Sequence, residues 1–153
     1  MAAVSPRRVP FEELVSILIA EHADIKRNLA NLEKHIAARN YEAASATLKA
    51  LDSLFRQHIA DEEAQVLRLL IDVHGVEGAD DAIVVFRQHR PIYALMKEVG
   101  ELAVVSPEAL ASNESKLRSL LDAHTRAEEA DVFPRALSAY NGRKKGAGVH
   151  GID

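Results

Sequence analysis

The sequence contains no cysteine. Disulfides, thiolate metal ligands and a thiol nucleophile are therefore excluded, and any bound metal must be held by histidine, carboxylate or tyrosine side chains. The sequence also lacks an apolar run of about 18 residues, so we expect no membrane-spanning helix. The N-terminal residues include two arginines but no apolar stretch of signal-peptide length. We accordingly predict a cytoplasmic protein.

Strong charge of one sign is absent as well, because the formal net charge is only −4. A nucleic-acid-binding protein usually carries a basic face, so we expect neither nucleic acid nor a membrane as a partner. Protein partners stay open. The 153 residues, of which 48% are hydrophobic, suit a single domain with a substantial core.

What the sequence does contain is a helical pattern. Apolar residues recur at alternating steps of three and four along four successive segments, and each such stripe forms one helix face. The first helix is predicted over residues 11–39, and the second is predicted to end at Gly75. Pro91 is expected to kink the third helix, because proline lacks a backbone donor. The fourth is predicted to begin after Ser106 and to end at Asn141-Gly142.

Connections between these segments are short, so neighbouring helices should run antiparallel. We predict an all-α protein, an up-down-up-down four-helix bundle. The bundle is expected to span residues 11–140, with flexible tails at residues 1–10 and 141–153.

Six polar residues interrupt the apolar stripes where a core is expected. A buried carboxylate costs several kcal/mol unless it is paired or bound to a metal. Histidine and glutamate four residues apart share a helix face, and two helices carry such a pair. Each of the four helices carries one histidine of the apolar stripe near its middle. The six residues are His22, His58, Glu62, His89, His124 and Glu128.

The sequence also repeats itself around these residues. Phe-Arg-Gln-His occurs at residues 55–58 and again at 86–89, and the His58–Glu62 motif recurs as His124–Glu128. Two helical hairpins with matched spacing indicate a pseudo-twofold axis through the site. Each hairpin would supply two imidazoles and one carboxylate.

A simpler interpretation exists for each residue alone. A single histidine on an apolar face usually packs as a core residue, and a single His-x-x-x-Glu usually forms a surface ion pair. All six together favour a metal site. Mixed imidazole and carboxylate ligands suit iron, manganese or zinc, and six ligands exceed what one structural zinc needs. Ferritin-like sites use more carboxylates than histidines, which argues against that class.

This ordered set of residues resembles the hemerythrin-like, or HHE cation-binding, family, over about residues 11–140. The resemblance implies two iron ions with an oxo or hydroxo bridge. It implies that Glu62 and Glu128 bridge the ions, that His22 and His58 bind one iron, and that His89 and His124 bind the other. The pattern is most similar to the hemerythrin-like proteins of mycobacteria, a subgroup associated with peroxide breakdown and reaction with nitric oxide.

Two positions depart from the oxygen-carrying members. Tyr93 stands where they have a further histidine, and Glu128 replaces an aspartate one residue further along. A phenolate favours Fe(III), which works against oxygen carriage, so we predict Tyr93 as a seventh metal ligand. The alternatives for Tyr93 are a core aromatic or a hydrogen-bond donor to a ligand.

We therefore predict a non-haem di-iron oxidoreductase that removes hydrogen peroxide, with nitric oxide as a potential co-substrate. No catalytic residue is assigned beyond the metal ligands. The alternative is an oxygen, nitric oxide or iron binding or sensing protein without turnover. A role in repair of iron–sulfur clusters is disfavoured, because relatives with that role normally carry cysteine.

Overall fold

The computed structural model of the chain describes residues 4–150, without the side chains of residues 104, 107 and 146–150. Residues 1–3 and 151–153 of the two predicted tails lie outside this part. Over the described residues, all regular secondary structure is helical. None of the helices there combines the length and apolar character that a membrane crossing requires.

The helical segments are α1 (Phe11–Ala37), α2 (Tyr41–Asp61), α3 (Arg68–Gly78), α4 (Asp80–Arg87), α5 (His89–Val105), α6 (Leu110–Ala127) and α7 (Phe133–His150). A π-helical turn, Glu62–Leu67, joins α2 to α3, and a second, Glu128–Val132, joins α6 to α7. A 3₁₀ turn, Pro107–Ala109, precedes α6. The segments form four long helices: α1 is the first, α2 with α3 the second, α4 with α5 the third, and α6 with α7 the fourth.

Tight connections reverse the chain between these helices. Arg39 adopts a left-handed backbone with φ 57°, and the Asn40 side chain accepts a hydrogen bond from Ala43 N at 3.2 Å, which caps the second helix. Gly75, with φ 75°, interrupts the helical geometry near the predicted end of the second helix. The first and third helices each contact the second and the fourth. The predicted all-α, up-down-up-down four-helix bundle is thus confirmed.

The apolar core consists of two clusters separated by polar residues. One cluster includes Leu14, Leu18 and Val132, and the other includes Ile25 and Leu121. On every helix the stripe histidine lies between residues of one cluster and residues of the other. The six polar stripe residues therefore form a layer across the middle of the bundle.

Both chain ends differ from the predicted tails. The predicted stop at Asn141-Gly142 is wrong, because α7 continues to His150. Glycine ends a helix when its backbone turns left-handed, and among the described glycines only Gly75 does so. At the other end, the Arg7 backbone N–H donates to Asp61 at 2.7 Å, so this part of residues 1–10 packs on the bundle.

Candidate metal centre

The two π-helical turns begin at the two glutamates of the site. Glu62 starts one turn and Glu128 the other, and both glutamates are fully buried. A π turn inserts one extra residue into a helix and so shifts the face that the following residues present. Val66 and Val132, four residues further on, are consequently buried in the core as well. The sequence predicted neither turn, although the repeated Glu-Glu-Ala-x-Val marks both.

A break in the third helix positions another residue of the site. Near Pro91, where a kink is expected, the helix is interrupted at Gln88, between α4 and α5. Pro91 cannot donate to the carbonyl of Arg87, which frees the backbone there. The Gln88 side chain turns inward, and its Oε1 lies 2.9 Å from His124 Nδ1.

All four imidazoles direct their Nε2 atoms toward the two glutamates. Glu128 Oε1 lies 3.1 Å from His22 Nε2, 3.4 Å from His124 Nε2 and 3.8 Å from His58 Nε2. The two oxygens of Glu62 lie 3.3 Å from His58 Nε2 and 3.2 Å from His89 Nε2. The structure thus brings the six predicted histidines and glutamates together in one buried layer.

Two overlapping groups of four residues emerge from this arrangement. One is His22, His58, Glu62 and Glu128, and the other is Glu62, His89, His124 and Glu128. In each group the potential ligand atoms lie within 4.8 Å of one another. Because both glutamates belong to both groups, the geometry suits two cations linked by two carboxylates.

Hydrogen bonding within the protein leaves much of this cluster unsatisfied. Several buried atoms that face the centre have no hydrogen-bond partner: His58 Nε2, His89 Nε2, His124 Nε2, both oxygens of Glu62 and Glu128 Oε2. Buried polar atoms in native proteins are nearly always paired, so such a concentration calls for an explanation. A bound metal would satisfy these atoms together, and the donor set fits iron, manganese or zinc.

A second ring of polar groups surrounds the imidazoles. His58 Nδ1 lies 3.1 Å from Glu21 Oε1, and His124 Nδ1 lies 2.9 Å from Gln88 Oε1. Carboxylates also lie near the other two Nδ1 atoms, with Glu129 3.4 Å from His22 and Glu63 3.9 Å from His89. Glu21 and Gln88 keep the proton of His58 and His124 on Nδ1 and leave Nε2 of these two residues free to bind a cation.

An N-terminal arginine supports the His58 side of the site. Arg7 Nη2 donates to Glu21 at 2.8 Å, and Arg7 Nη1 lies 3.3 Å from Asp61. Gln65 Nε2 in turn donates to the Arg7 carbonyl at 2.6 Å. Glu21 and Asp61 are both buried, so Arg7 neutralises part of the charge that they bring inside.

In the absence of a cation, the histidines and glutamates of the site have pKa values shifted in different directions. Burial by itself lowers the pKa of an imidazole, but Glu62 and Glu21 override it and raise the pKa of His58 to about 9. Burial raises the pKa of a carboxyl, yet His58 and His89 lower that of Glu62 to about 2. For His124 the effect of burial is the largest, and the pKa of its imidazole is lowered to about 3.

Phenylalanine rings cover the cluster. Phe133 stacks on His22 with ring centroids 5.6 Å apart, Phe86 stacks on His89 at 5.2 Å, and Phe55 stacks on His58 at 6.4 Å. All three phenylalanines are buried. The rings limit the access of large solutes to the cluster.

Tyr93 lies beside the cluster and is half-buried. Its ring packs edge-on against Phe55 at 5.3 Å, with the Arg56 guanidinium carbon 5.5 Å from the ring centre. Tyr93 also lines a groove of about 850 Å³ between the second and third helices. Burial raises the pKa of its phenol to about 12, which keeps it protonated at neutral pH.

Sequence reasoning missed three residues that matter for this geometry. Glu21 and Asp61 each precede a predicted ligand, and Arg7 lay in a predicted tail. The only signal for Glu21 and Asp61 was their position next to residues on a buried stripe. Nothing local pointed to Arg7, because its partners are 14 and 54 residues away along the chain.

Fold and site together define an all-α helical bundle with a buried histidine–carboxylate cluster able to hold metal. In agreement, the family model of the hemerythrin HHE cation binding domain matches residues 2–70. This span covers just under half of the chain and contains His22, His58 and Glu62. Hemerythrin domains bind metal, typically iron. No curated protein and no solved structure gave a significant match to the chain.

Proposed function

We propose that the whole chain is a hemerythrin-like protein that holds two iron ions with an oxo or hydroxo bridge. The observation that carries this proposal is the pair of four-residue groups that share Glu62 and Glu128. His89, His124 and Glu128 lie beyond the matched span, and they repeat the arrangement of the residues within it. His22 and His58 would hold one ion, and His89 and His124 the other.

The proposed activity is removal of hydrogen peroxide. A bound iron pair supplies electron-transfer chemistry that amino-acid side chains lack. Disproportionation of two hydrogen peroxide molecules gives two waters and one dioxygen, so it needs no external electron donor. The protein itself orients the His58 and His124 imidazoles through their Nδ1 partners, Glu21 and Gln88. It excludes larger molecules with Phe55, Phe86 and Phe133. A closed apolar setting of this kind selects very small substrates.

Peroxide turnover is tested with the iron-loaded protein in an oxygen electrode. We expect hydrogen peroxide to disappear with release of about half as much dioxygen, as the disproportionation stoichiometry requires. With nitric oxide as co-substrate, one hydrogen peroxide is reduced as two nitric oxide molecules are oxidised to two nitrous acid molecules, so without air peroxide should disappear with formation of nitrite and little dioxygen. Metal-free protein is the control and should be inactive.

Binding without turnover is the competing function, since fold does not decide between the two. Iron-loaded protein that cycles reversibly between oxygenated and deoxygenated spectra, without loss of added peroxide, would overturn the enzymatic proposal. It would leave the proposed iron pair intact and assign it to oxygen binding.

Tyr93 is proposed as a seventh ligand, and its replacement by phenylalanine tests this. A ferric ion lowers the pKa of a bound phenol, and the Tyr93 ring packs on Phe55, which itself stacks on His58. Tyr93→Phe removes only the oxygen, so the iron content should stay unchanged. We expect loss of a phenolate-to-iron absorption band in the visible and a changed rate with peroxide. An unchanged spectrum and rate would leave Tyr93 as a packing residue beside Phe55.

A further inference from the structure

The two halves of the site are related residue by residue. The first helix corresponds to the third and the second to the fourth, so that His22 matches His89 and His58 matches His124. The surroundings follow the same relation. Glu129 approaches Nδ1 of His22 as Glu63 approaches Nδ1 of His89.

One matched pair of residues, Glu21 and Gln88, occupies equivalent positions but differs in charge. Glu21 precedes His22 and accepts from His58 Nδ1, whereas Gln88 precedes His89 and accepts from His124 Nδ1. The two distances, 3.1 and 2.9 Å, are nearly equal. The geometry is thus repeated, but a carboxylate stands on one side and a neutral amide on the other.

A second matched pair differs in the same sense. Asp61 precedes Glu62, and the equivalent residue before Glu128 is Ala127. Arg7 contacts both Glu21 and Asp61, so one positive charge faces two buried negative charges. The His58 side keeps a net negative charge in this outer ring, whereas Gln88 and Ala127 contribute none.

A carboxylate that accepts the Nδ1 proton makes an imidazole a better electron donor through Nε2 than an amide acceptor does. The net negative charge also attracts a cation to the nearer position. Resting on the proposed metal pair, we infer that the two metal positions are unequal for divalent ions, to which Tyr93 adds no negative charge. The His22–His58 position binds its ion tightly and fills first, and the His89–His124 position binds weakly and exchanges.

Cobalt(II) titration of the full metal-free chain tests this inequality, followed by visible absorption and calorimetry. Outer partners of metal-bound histidines change affinity by about 10- to 100-fold, so the wild-type protein should show two binding steps separated by about that factor. His89→Ala isolates the first position and should retain the tight step. His22→Ala isolates the second and should retain the weak one.

Exchange of the two acceptors then assigns the cause. Glu21→Gln should weaken cobalt binding about 10- to 100-fold in the His89→Ala background and leave the His22→Ala background unchanged. Gln88→Glu should tighten binding by a similar factor in the His22→Ala background alone. The two substitutions are chemical inverses, so each is the matched control for the other.

Arg7→Met separates charge from a structural role of Glu21. If Glu21 acts through its carboxylate charge, removal of Arg7 should leave the first position at least as tight. Weakening equal to that of Glu21→Gln would overturn the inference and assign Glu21 to holding the N-terminal segment. Two equal wild-type steps would also overturn it, with the metal pair still standing. Uptake of fewer than two cobalt ions by the wild-type chain would overturn both.

Discussion

Replacement of Glu62 by alanine should lower the iron content from two ions per chain to one or none. Its carboxylate belongs to both four-residue groups and lies 3.3 Å from His58 Nε2 and 3.2 Å from His89 Nε2. Removal of one end ligand would leave the other position complete, but removal of a shared carboxylate damages both. The iron-to-protein ratio after gel filtration, measured by mass spectrometry of the metal, gives the result.

Two further variants make this result specific. Glu62→Gln keeps the size of the side chain but removes the negative charge that would link two cations, so it should lose iron as well. Glu101→Ala removes an exposed glutamate of the third helix and should keep both ions. Far-ultraviolet circular dichroism checks that each variant is folded. Full iron content in both Glu62 variants would end the proposal of a bridged pair.

The sequence was sufficient to predict the bundle because periodicity reports which residues face the core. His22, for example, lies three and four residues from Ile25 and Leu18, and all three are buried. The same periodicity brought the six polar residues into one layer, since a residue at mid-length of each antiparallel helix reaches the same level. Only their role as ligands remains a prediction.

Local pattern could not predict the features that depend on distant partners. The π turn at Glu62 keeps His58, Glu62 and Val66 buried together, and a regular helical pattern fits those spacings equally well. Arg7 is placed by Glu21 and Asp61, which are adjacent to it only after the bundle has formed. Tyr93 shows the limit of spacing arguments, because one helical turn from His89 fixes its position but not the direction of its hydroxyl.

Removal of metal should lower the melting temperature by at least about 15 °C. Each ion present at about 1,000 times its Kd stabilises the folded state by about 4 kcal/mol. In a chain of this length, 1 kcal/mol changes the melting temperature by about 2–4 °C. Two buried atoms without a hydrogen-bond partner, His124 Nε2 and Glu128 Oε2, add to the cost of the metal-free fold. Calorimetry of chelator-treated and reloaded protein measures the difference, and equal melting temperatures would exclude a metal site in the core.

The difference in melting temperature between the metal-loaded and the metal-free protein should shrink as the pH falls from about 8 to about 5. In the metal-free protein the pKa of His58 is raised to about 9, so its imidazole must release a proton to bind a cation. Below that pKa, each released proton makes binding about tenfold weaker per unit of falling pH.

The raised pKa also stabilises the metal-free fold, fully below about pH 6.5 and no longer above about 9. Both effects act in one direction, because acid weakens the loaded protein while the metal-free protein keeps its His58–Glu62 ion pair. The pKa of Glu62, lowered to about 2, keeps that carboxylate ionised throughout this range. Melting temperatures of both forms, measured across this pH range, give the change of their difference with pH. A difference that stays constant would show that His58 does not bind the metal.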